Sequence, residues 1–347
     1  MSDSLPSLLG MNLAELTALA REAGLPAFAG KQLARWLYQK RVWDFEAMTD
    51  LPREARSRLA AAAVSGAHAP VKTTESRDGT KKYLFEAAGR FVETAYIPDR
   101  ERATLCVSAQ VGCKMNCLFC MTGKQGFQAQ LSASDIVNQI LSIPEFEKLT
   151  NIVFMGMGEP FDNLDNVLRT LEILTASWGL AWSPRRVTVS TIGVLPGLRR
   201  YLDESECHLA VSLHSPFHEE RLGIMPVEAA YPLPELVAMI RGFDFGRQRR
   251  ISFEYILFEG LNDSPRHVAE LARLLNGLSC RINLIRFHAI PGVELRPAPR
   301  ERLEWFRDEL GRKGFTATIR ASRGEDIQAA CGLLSTKSLA ENITTSN

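Results

Sequence analysis

The sequence predicts an α/β protein: an open, partial barrel of six β/α units, preceded by a small N-terminal helical domain and a β-hairpin extension. Three observations carry this. From residue 104 onward, short β-branched apolar runs alternate with helical patterns, the rhythm of parallel strands joined by helical crossovers. Six such units follow one another, fewer than the eight that close a barrel. Ahead of residue 104 the pattern is different, helical first and then alternating.

Each element has its own signal. Leu33, Trp36 and Leu37 stand at helical spacing, and a broken run follows around Phe45, Met48 and Leu51, so 1–75 reads as a helical accessory domain. KKYLFEA and RFVETAYIP alternate around an Ala-Ala-Gly connection, a hairpin near 81–97 within an extension over 76–103. The barrel spans 104–335. Its strands are TLCVS, NIVFMG, RRVTVST, HLAVSLH, RISFEYILF and RINLIRFH, each followed by a helical run, and FTATIRAS closes the series. Ser132 or Ser134 caps the helix after the first strand. The tail, 336–347, is polar and expected to be loose.

Composition narrows the function. Apolar residues make up 46% and charged residues 23%, enough for a sizeable core. No apolar run approaches the roughly 20 residues that span a bilayer. The opening stretch lacks a basic segment followed by an apolar one, so no membrane association and a cytoplasmic location are expected. A net charge of +1 is no signature of a dedicated nucleic-acid-binding domain. Local basic clusters do occur: Lys31, Arg35, Lys40 and Arg41; Arg185 and Arg186; Arg199 and Arg200; Arg247, Arg249 and Arg250. Seven cysteines, an odd and clustered set, do not make a secreted disulfide framework.

Four of those cysteines fall in CVSAQVGCKMNCLFC. Cys113, Cys117 and Cys120 read C-x3-C-x2-C, with Cys106 seven residues ahead. A structural zinc site wants four closed ligands, usually from two separated pairs, and no second pair exists. An iron–sulfur cluster on three thiolates keeps one iron open for another ligand, unlike the four-cysteine electron carriers. The loop directly follows the first barrel strand, on the rim where parallel α/β folds bind ligands. MGMGEP, STIG and SLHS follow the next three strands onto that rim, and Asn283 lies within the sixth.

CKMNCLFC at this place resembles the radical S-adenosylmethionine (SAM) superfamily. The resemblance implies that Cys113, Cys117 and Cys120 hold a [4Fe-4S] cluster whose open iron chelates SAM. It also implies cofactor contacts from Gly156, Gly158 and Glu159, and from Ser190, Ser212, His214 and Asn283. Further motifs, VETAYIPDRERATLCVSAQVGC, FMGMGEP, VSLHS, NLIRFH and RGEDIQAACG, resemble the RlmN/Cfr family of RNA adenine methyltransferases over about residues 80–335. That closer resemblance implies two SAM molecules per turnover, Cys331 as methyl carrier, Cys106 as resolving thiol through a transient disulfide, and Glu93 as proton acceptor. It implies 23S rRNA and tRNA as substrates, an electron donor such as flavodoxin, and a monomer. The chemistry is coherent: carbon 2 of adenine and the SAM methyl are both electrophilic, so a thiol must carry the methyl between them. SPRRVTVSTIG and SLHSPFHEER look like the branch that methylates carbon 8 of the same adenine, whereas VETAYIPDRERATLCVSAQVGC looks like the carbon-2 branch. His288 stands where many relatives are expected to carry Asn. The rival from another class, a non-catalytic iron–sulfur or zinc RNA-binding module, gives no role to MGMGEP or Cys331. Cys207 and Cys280 read as inert core residues. The N-terminal cluster of Lys31, Arg35, Lys40 and Arg41 is the candidate phosphate contact.

Overall fold

A computed structural model describes residues 5–246 and 249–336. The expected loose tail beyond 336 and Arg247 lie outside the described residues.

The N-terminal unit is helical because its caps and spacing agree. Asn12 and Glu15 form a reciprocal capping box at the start of α1 (Leu13–Glu22). α2 (Ala29–Ala34) runs into a π-helical turn, Arg35–Gln39, and buries Leu33, Trp36 and Leu37. α3 (Arg53–Ala62) follows, after Met48 and Leu51 have entered the core. The antiparallel extension begins earlier than the sequence suggests. β1 (Lys72–Glu75) lies inside the range assigned to the helical domain and pairs with β2 (Lys81–Ala87). β2 pairs with β3 (Arg90–Asp99), and β3 with β4 (Arg102–Cys106). The hairpin is therefore part of the main sheet rather than a linker.

From β4 onward the strands of the main sheet are parallel. The loop after β4 carries a short β5 (Gln110–Val111), α4 (Met121–Gln125), β6 (Ala129–Gln130) and α5 (Ala133–Leu141). Ser132 caps α5, with Asp135 completing the box. Then come β7 (Asn151–Phe154), α6 (Leu164–Thr175), β8 (Val187–Thr191), α7 (Leu195–Glu204) and β9 (His208–Ser212). α8 (His218–Ile224), α9 (Leu233–Arg241), β10 (Ile251–Leu257), α10 (Pro265–Leu275) and β11 (Cys280–Arg286) continue the alternation, and α11 (Arg300–Arg312) and β12 (Thr316–Ile319) end it. The ten-stranded sheet has the order β1-β2-β3-β4-β7-β8-β9-β10-β11-β12 and does not close. Sequential neighbours all along this order are the signature of a β/α barrel left open. The expected six units and closing seventh strand are all present. Register aligns Ser212, Glu254, Asn283 and Thr318 as one polar rung across β9 to β12.

Candidate active site

A cavity of about 440 Å³ opens where the parallel strands end. Cys106, Cys113, Cys117, Cys120, Gly158, Glu159, Ser190, Ser212, His214 and Cys331 all line it. Strand ends far apart in the chain are thus gathered because parallel strands present their carboxyl ends on one side.

The glycines of MGMGEP let this rim close. A Cβ on Gly158, whose φ is +94°, would sit 2.4 Å from Cβ of Gln110, and one on Gly156 would sit 2.5 Å from Oγ of Ser108. Glu159 ties the exits of β7 and β8 together. Its Oε1 accepts from Thr191 Oγ1 at 2.6 Å and from Phe161 N at 3.1 Å, and its Oε2 accepts from Ile192 N at 3.0 Å. Burial nonetheless pushes its pKa up to about 7. His214 adopts a left-handed φ of +57° at the end of β9. Its Nδ1 accepts from Ile256 N at 3.0 Å, which leaves the proton on Nε2. Burial, with Arg221 nearby, lowers its pKa to about 3, so the ring is a neutral donor. Phe119 meets it edge-on with ring centroids 4.8 Å apart.

The Cys331 segment is fastened to the cysteine loop. Met121 N donates to Gly332 O at 2.8 Å, Thr122 Oγ1 to Leu334 O at 2.7 Å, and Gln125 Nε2 to Thr336 Oγ1 at 2.8 Å. Cys106 packs with Ala95 and Ala329 in a small apolar cluster two residues from Cys331. Burial first, and the neighbouring Cys331 second, push the Cys106 thiol up to about 12. The pKa of Arg320 is raised, chiefly by attraction to Cys331, with Glu254 and Cys106 contributing.

A family model described as the ribosomal RNA large subunit methyltransferase N-terminal domain matches residues 7–64, and the radical SAM superfamily model matches 107–273. A protein of Parabacteroides distasonis named as a probable dual-specificity RNA methyltransferase RlmN is 59% identical, over 97% of this chain and 98% of its own length. The chain belongs to the RlmN family of radical SAM methyltransferases. A Desulfotalea psychrophila RlmN is 42% identical over 93% of this chain and 92% of its own. A radical SAM methyltransferase from Sphaerobacter thermophilus superposes with a TM-score of 0.88 at 39% identity, covering 95% of this chain and 99% of that one.

The three thiols suit the cluster that radical SAM enzymes use. Burial pushes Cys113 up to about 12 and Cys117 well above its usual range, and the neighbouring Cys120 adds to both shifts. Such a set ionises only against a concentrated positive charge, which bound iron supplies. Among the described residues no three His, Cys, Asp or Glu side chains converge to hold a single metal ion. Three thiols that share a wall without converging fit ligands to different irons of one cluster better than a closed zinc site.

Two residues expected at this site do not line the cavity. Asn283 is not on the cavity wall: its Nδ2 donates to Glu254 Oε1 at 2.8 Å, and Thr318 Oγ1 donates to its Oδ1 at 2.8 Å. It sits on the inner face of the barrel but one side chain away, because its rung neighbour Glu254 occupies the wall. His288 lines the cavity instead. Glu93 is also absent from the lining. It is buried, with Oε1 2.9 Å from Lys82 Nζ and Oε2 accepting from Ser335 N at 2.9 Å, so it faces the Cys331 segment from behind.

Sequence reasoning did not single out Glu254, Thr191, Lys82 or Gln125. For Glu254 a signal was available: RISFEYILF sets one acid in the middle of a largely apolar strand, where a carboxyl without partners is costly. The others are ordinary polar residues until folding supplies their partners.

Among the basic clusters, several side chains are spent inside the fold. Arg41 pairs with Glu147 at 2.5 Å and lies over Phe146. Arg186 caps Thr150 O and stacks on Trp182. Arg249 caps the carbonyls of Cys207, Leu202 and Tyr201. Lys31, Arg35 and Lys40 are exposed. No helix among the described residues is long and apolar enough to cross a membrane.

Proposed function

We propose that this enzyme methylates carbon 2 of adenine in 23S rRNA and in tRNA, by way of a methyl group carried on Cys331. The observation that carries the proposal is the placement of Cys331. It shares one cavity with the cluster cysteines and the proposed SAM rim, its neighbour Gly332 is tied to α4 by Met121, and it is accompanied by Cys106 and Arg320. Two further thiols beside the cluster loop are what a methyl-carrying and thiol-resolved route requires.

Cys113, Cys117 and Cys120 would hold the cluster, and Gly156, Gly158, Glu159, Ser190, Ser212 and His214 the SAM. When bound, these supply an electrophilic methyl group and a 5′-deoxyadenosyl radical. The chain's own residues do the rest. Cys331 takes the methyl on its sulfur by displacement, with the Arg320 guanidinium nearby. Once that carbon is joined to carbon 2 of adenine, Glu93 accepts the proton that carbon 2 must lose, and the one electron that the adduct must also lose would return to the cluster. To reach it, the Glu93 carboxylate gives up Ser335 N–H and turns towards the cavity, while Lys82 holds its charge. Cys106 then attacks the Cys331 sulfur: the new S–S bond forms as the S–C bond breaks, and the released carbon takes a proton to become the methyl. The buried, protonated state of Cys106 keeps it from closing that disulfide early. An electron donor such as flavodoxin would feed the cluster of a monomeric, cytoplasmic enzyme.

Mass spectrometry of the purified chain tests this. The peptide bearing Cys331 should carry one added methyl that Cys331→Ala lacks. Digestion of treated RNA should release 2-methyladenosine. An unmethylated Cys331 in the presence of SAM and a working cluster rejects the proposal, and 8-methyladenosine moves the product to the other carbon.

A further inference from the structure

Three carboxylates line the cavity among the described residues: Asp99, Glu159 and Glu254. Two are already engaged. Asp99 pairs with Arg323 at 3.0 Å, and Glu159 is clamped by its three donors. Glu254 differs. It is 3% exposed, and its Oε1 accepts from Ser252 Oγ at 2.9 Å and Asn283 Nδ2 at 2.8 Å. Its Oε2 is buried and has no hydrogen-bond partner in the protein. Asn283 is fixed in turn by Thr318, so the orientation of the carboxylate is set from behind through the polar rung.

Orphaned carboxylate oxygens are rare in folded proteins because desolvation without a donor is unfavourable. One that is braced by three side chains and placed on a ligand cavity is a receptor for a donor the ligand brings. The rest of the wall offers mostly donors: the Arg320 guanidinium, the Ser190 and Ser212 hydroxyls and Nε2–H of His214. An adenosine carries both needs, since its ring nitrogens accept while its ribose hydroxyls and amino group donate.

We propose that Glu254 Oε2 accepts a hydrogen bond from a hydroxyl or amino group of a nucleoside bound in the cavity. The proposal rests on the RNA methyltransferase reading above. The nucleoside is either the adenosine of SAM or the target adenosine of the RNA. Ser252, Asn283 and Thr318 are positioning residues that act through Glu254.

The test uses the full chain with its cluster reconstituted, wild type against Glu254→Gln. The amide keeps an oxygen for Ser252 and Asn283 and sets a donor where the acceptor was. Equilibrium dialysis with S-adenosylhomocysteine and filter binding of a 23S rRNA fragment read the two sources separately. Loss of a hydrogen bond to a charged group weakens binding on the order of ten- to a hundredfold. That loss in the dialysis arm assigns the donor to SAM, and in the RNA arm to the target adenosine. Unchanged binding in both arms, with wild type binding both probes, overturns the proposal. A wild type that binds neither defeats the methyltransferase reading instead. Melting of the ligand-free proteins supplies a control for folding. If that variant does not fold, Asn283→Ala, which releases the brace, is read in the same two arms.

Discussion

Glu93 and Glu159 are both buried carboxylates, and their partners set what each can do. Glu93 has a lysine 2.9 Å away, whereas Glu159 has only neutral donors. The first arrangement suits the proton-accepting role proposed for Glu93. Glu93→Gln keeps an oxygen for Ser335 N but cannot take a proton. Product formation should fall by about 10²–10⁴-fold, with a covalent protein–RNA species accumulating on denaturing gels. Loss of activity without that species would place Glu93 in another role. Glu159 is different in sign. Its folded pKa of about 7 lies above the ordinary carboxylate value of 4.5. The fold therefore favours the protonated form, and that preference is fully present below pH 4.5 and lost as pH rises through 7. In urea unfolding of cluster-free protein, wild type should lose roughly 3 kcal/mol relative to Glu159→Gln between pH 4.5 and 8. A pH-independent difference would mean that folding leaves the Glu159 carboxyl at its ordinary pKa.

At the scale of elements, one arginine holds the rim in shape. Arg221 on α8 is fully buried. Its Nε donates to Leu213 O at 3.1 Å, and its Nη2 to Ile192 O at 2.9 Å and Ser212 O at 3.1 Å, while Nη1 pairs with Glu228. The exits of β8 and β9, with Ser190, Ser212 and His214 beside them, are stitched by a single side chain. Removing one partner of a buried ion pair strands the other, so Arg221→Leu should cost about 3–5 kcal/mol. Adding Glu228→Leu should recover much of that stability in a denaturant titration, but not SAM affinity, because the three carbonyls stay unbraced. Full recovery of both would reduce Arg221 to a packing residue. The same elements show what was legible beforehand. The strand-helix alternation placed every barrel strand, and the cysteine spacing and glycine-rich exits placed the rim, because both depend on local periodicity. Arg221 and Asn283 were not legible in that way. The partners of Arg221 lie on two strands, and Asn283 faces Glu254 only through the parallel register of β10 and β11, which no local pattern encodes.

The whole molecule joins a helical unit to an open barrel through bonds that leave little freedom between them. Gln39 Nε2 donates to Ser177 O and Gly179 O at 3.3 and 3.1 Å, Ser7 Oγ lies 2.7 Å from Ser134 Oγ, and Tyr38 packs on Trp178. Arg41 and Arg169 add ion pairs across the same junction, to Glu147 and Glu15. These contacts place the basic side chains of this unit relative to the cavity. Arg41 belongs to the junction, which leaves Lys31, Arg35 and Lys40, the last resting 3.2 Å over the Trp36 ring. Phosphate contacts position a nucleic acid without reading its sequence, and each one releases counterions on binding. Replacing all three by Glu should therefore weaken binding of rRNA fragments and tRNA alike. The slope of log affinity against log salt should shrink by about 2–3, since each phosphate left without its cation removes roughly 0.7–0.9. S-adenosylhomocysteine binding should stay unchanged, since none of the three lines the cavity. A variant with an unaltered salt slope would move the RNA surface to the barrel mouth, where Arg102 and Arg323 line the entrance. In that case the helical unit would serve to brace the barrel at α5 and α6.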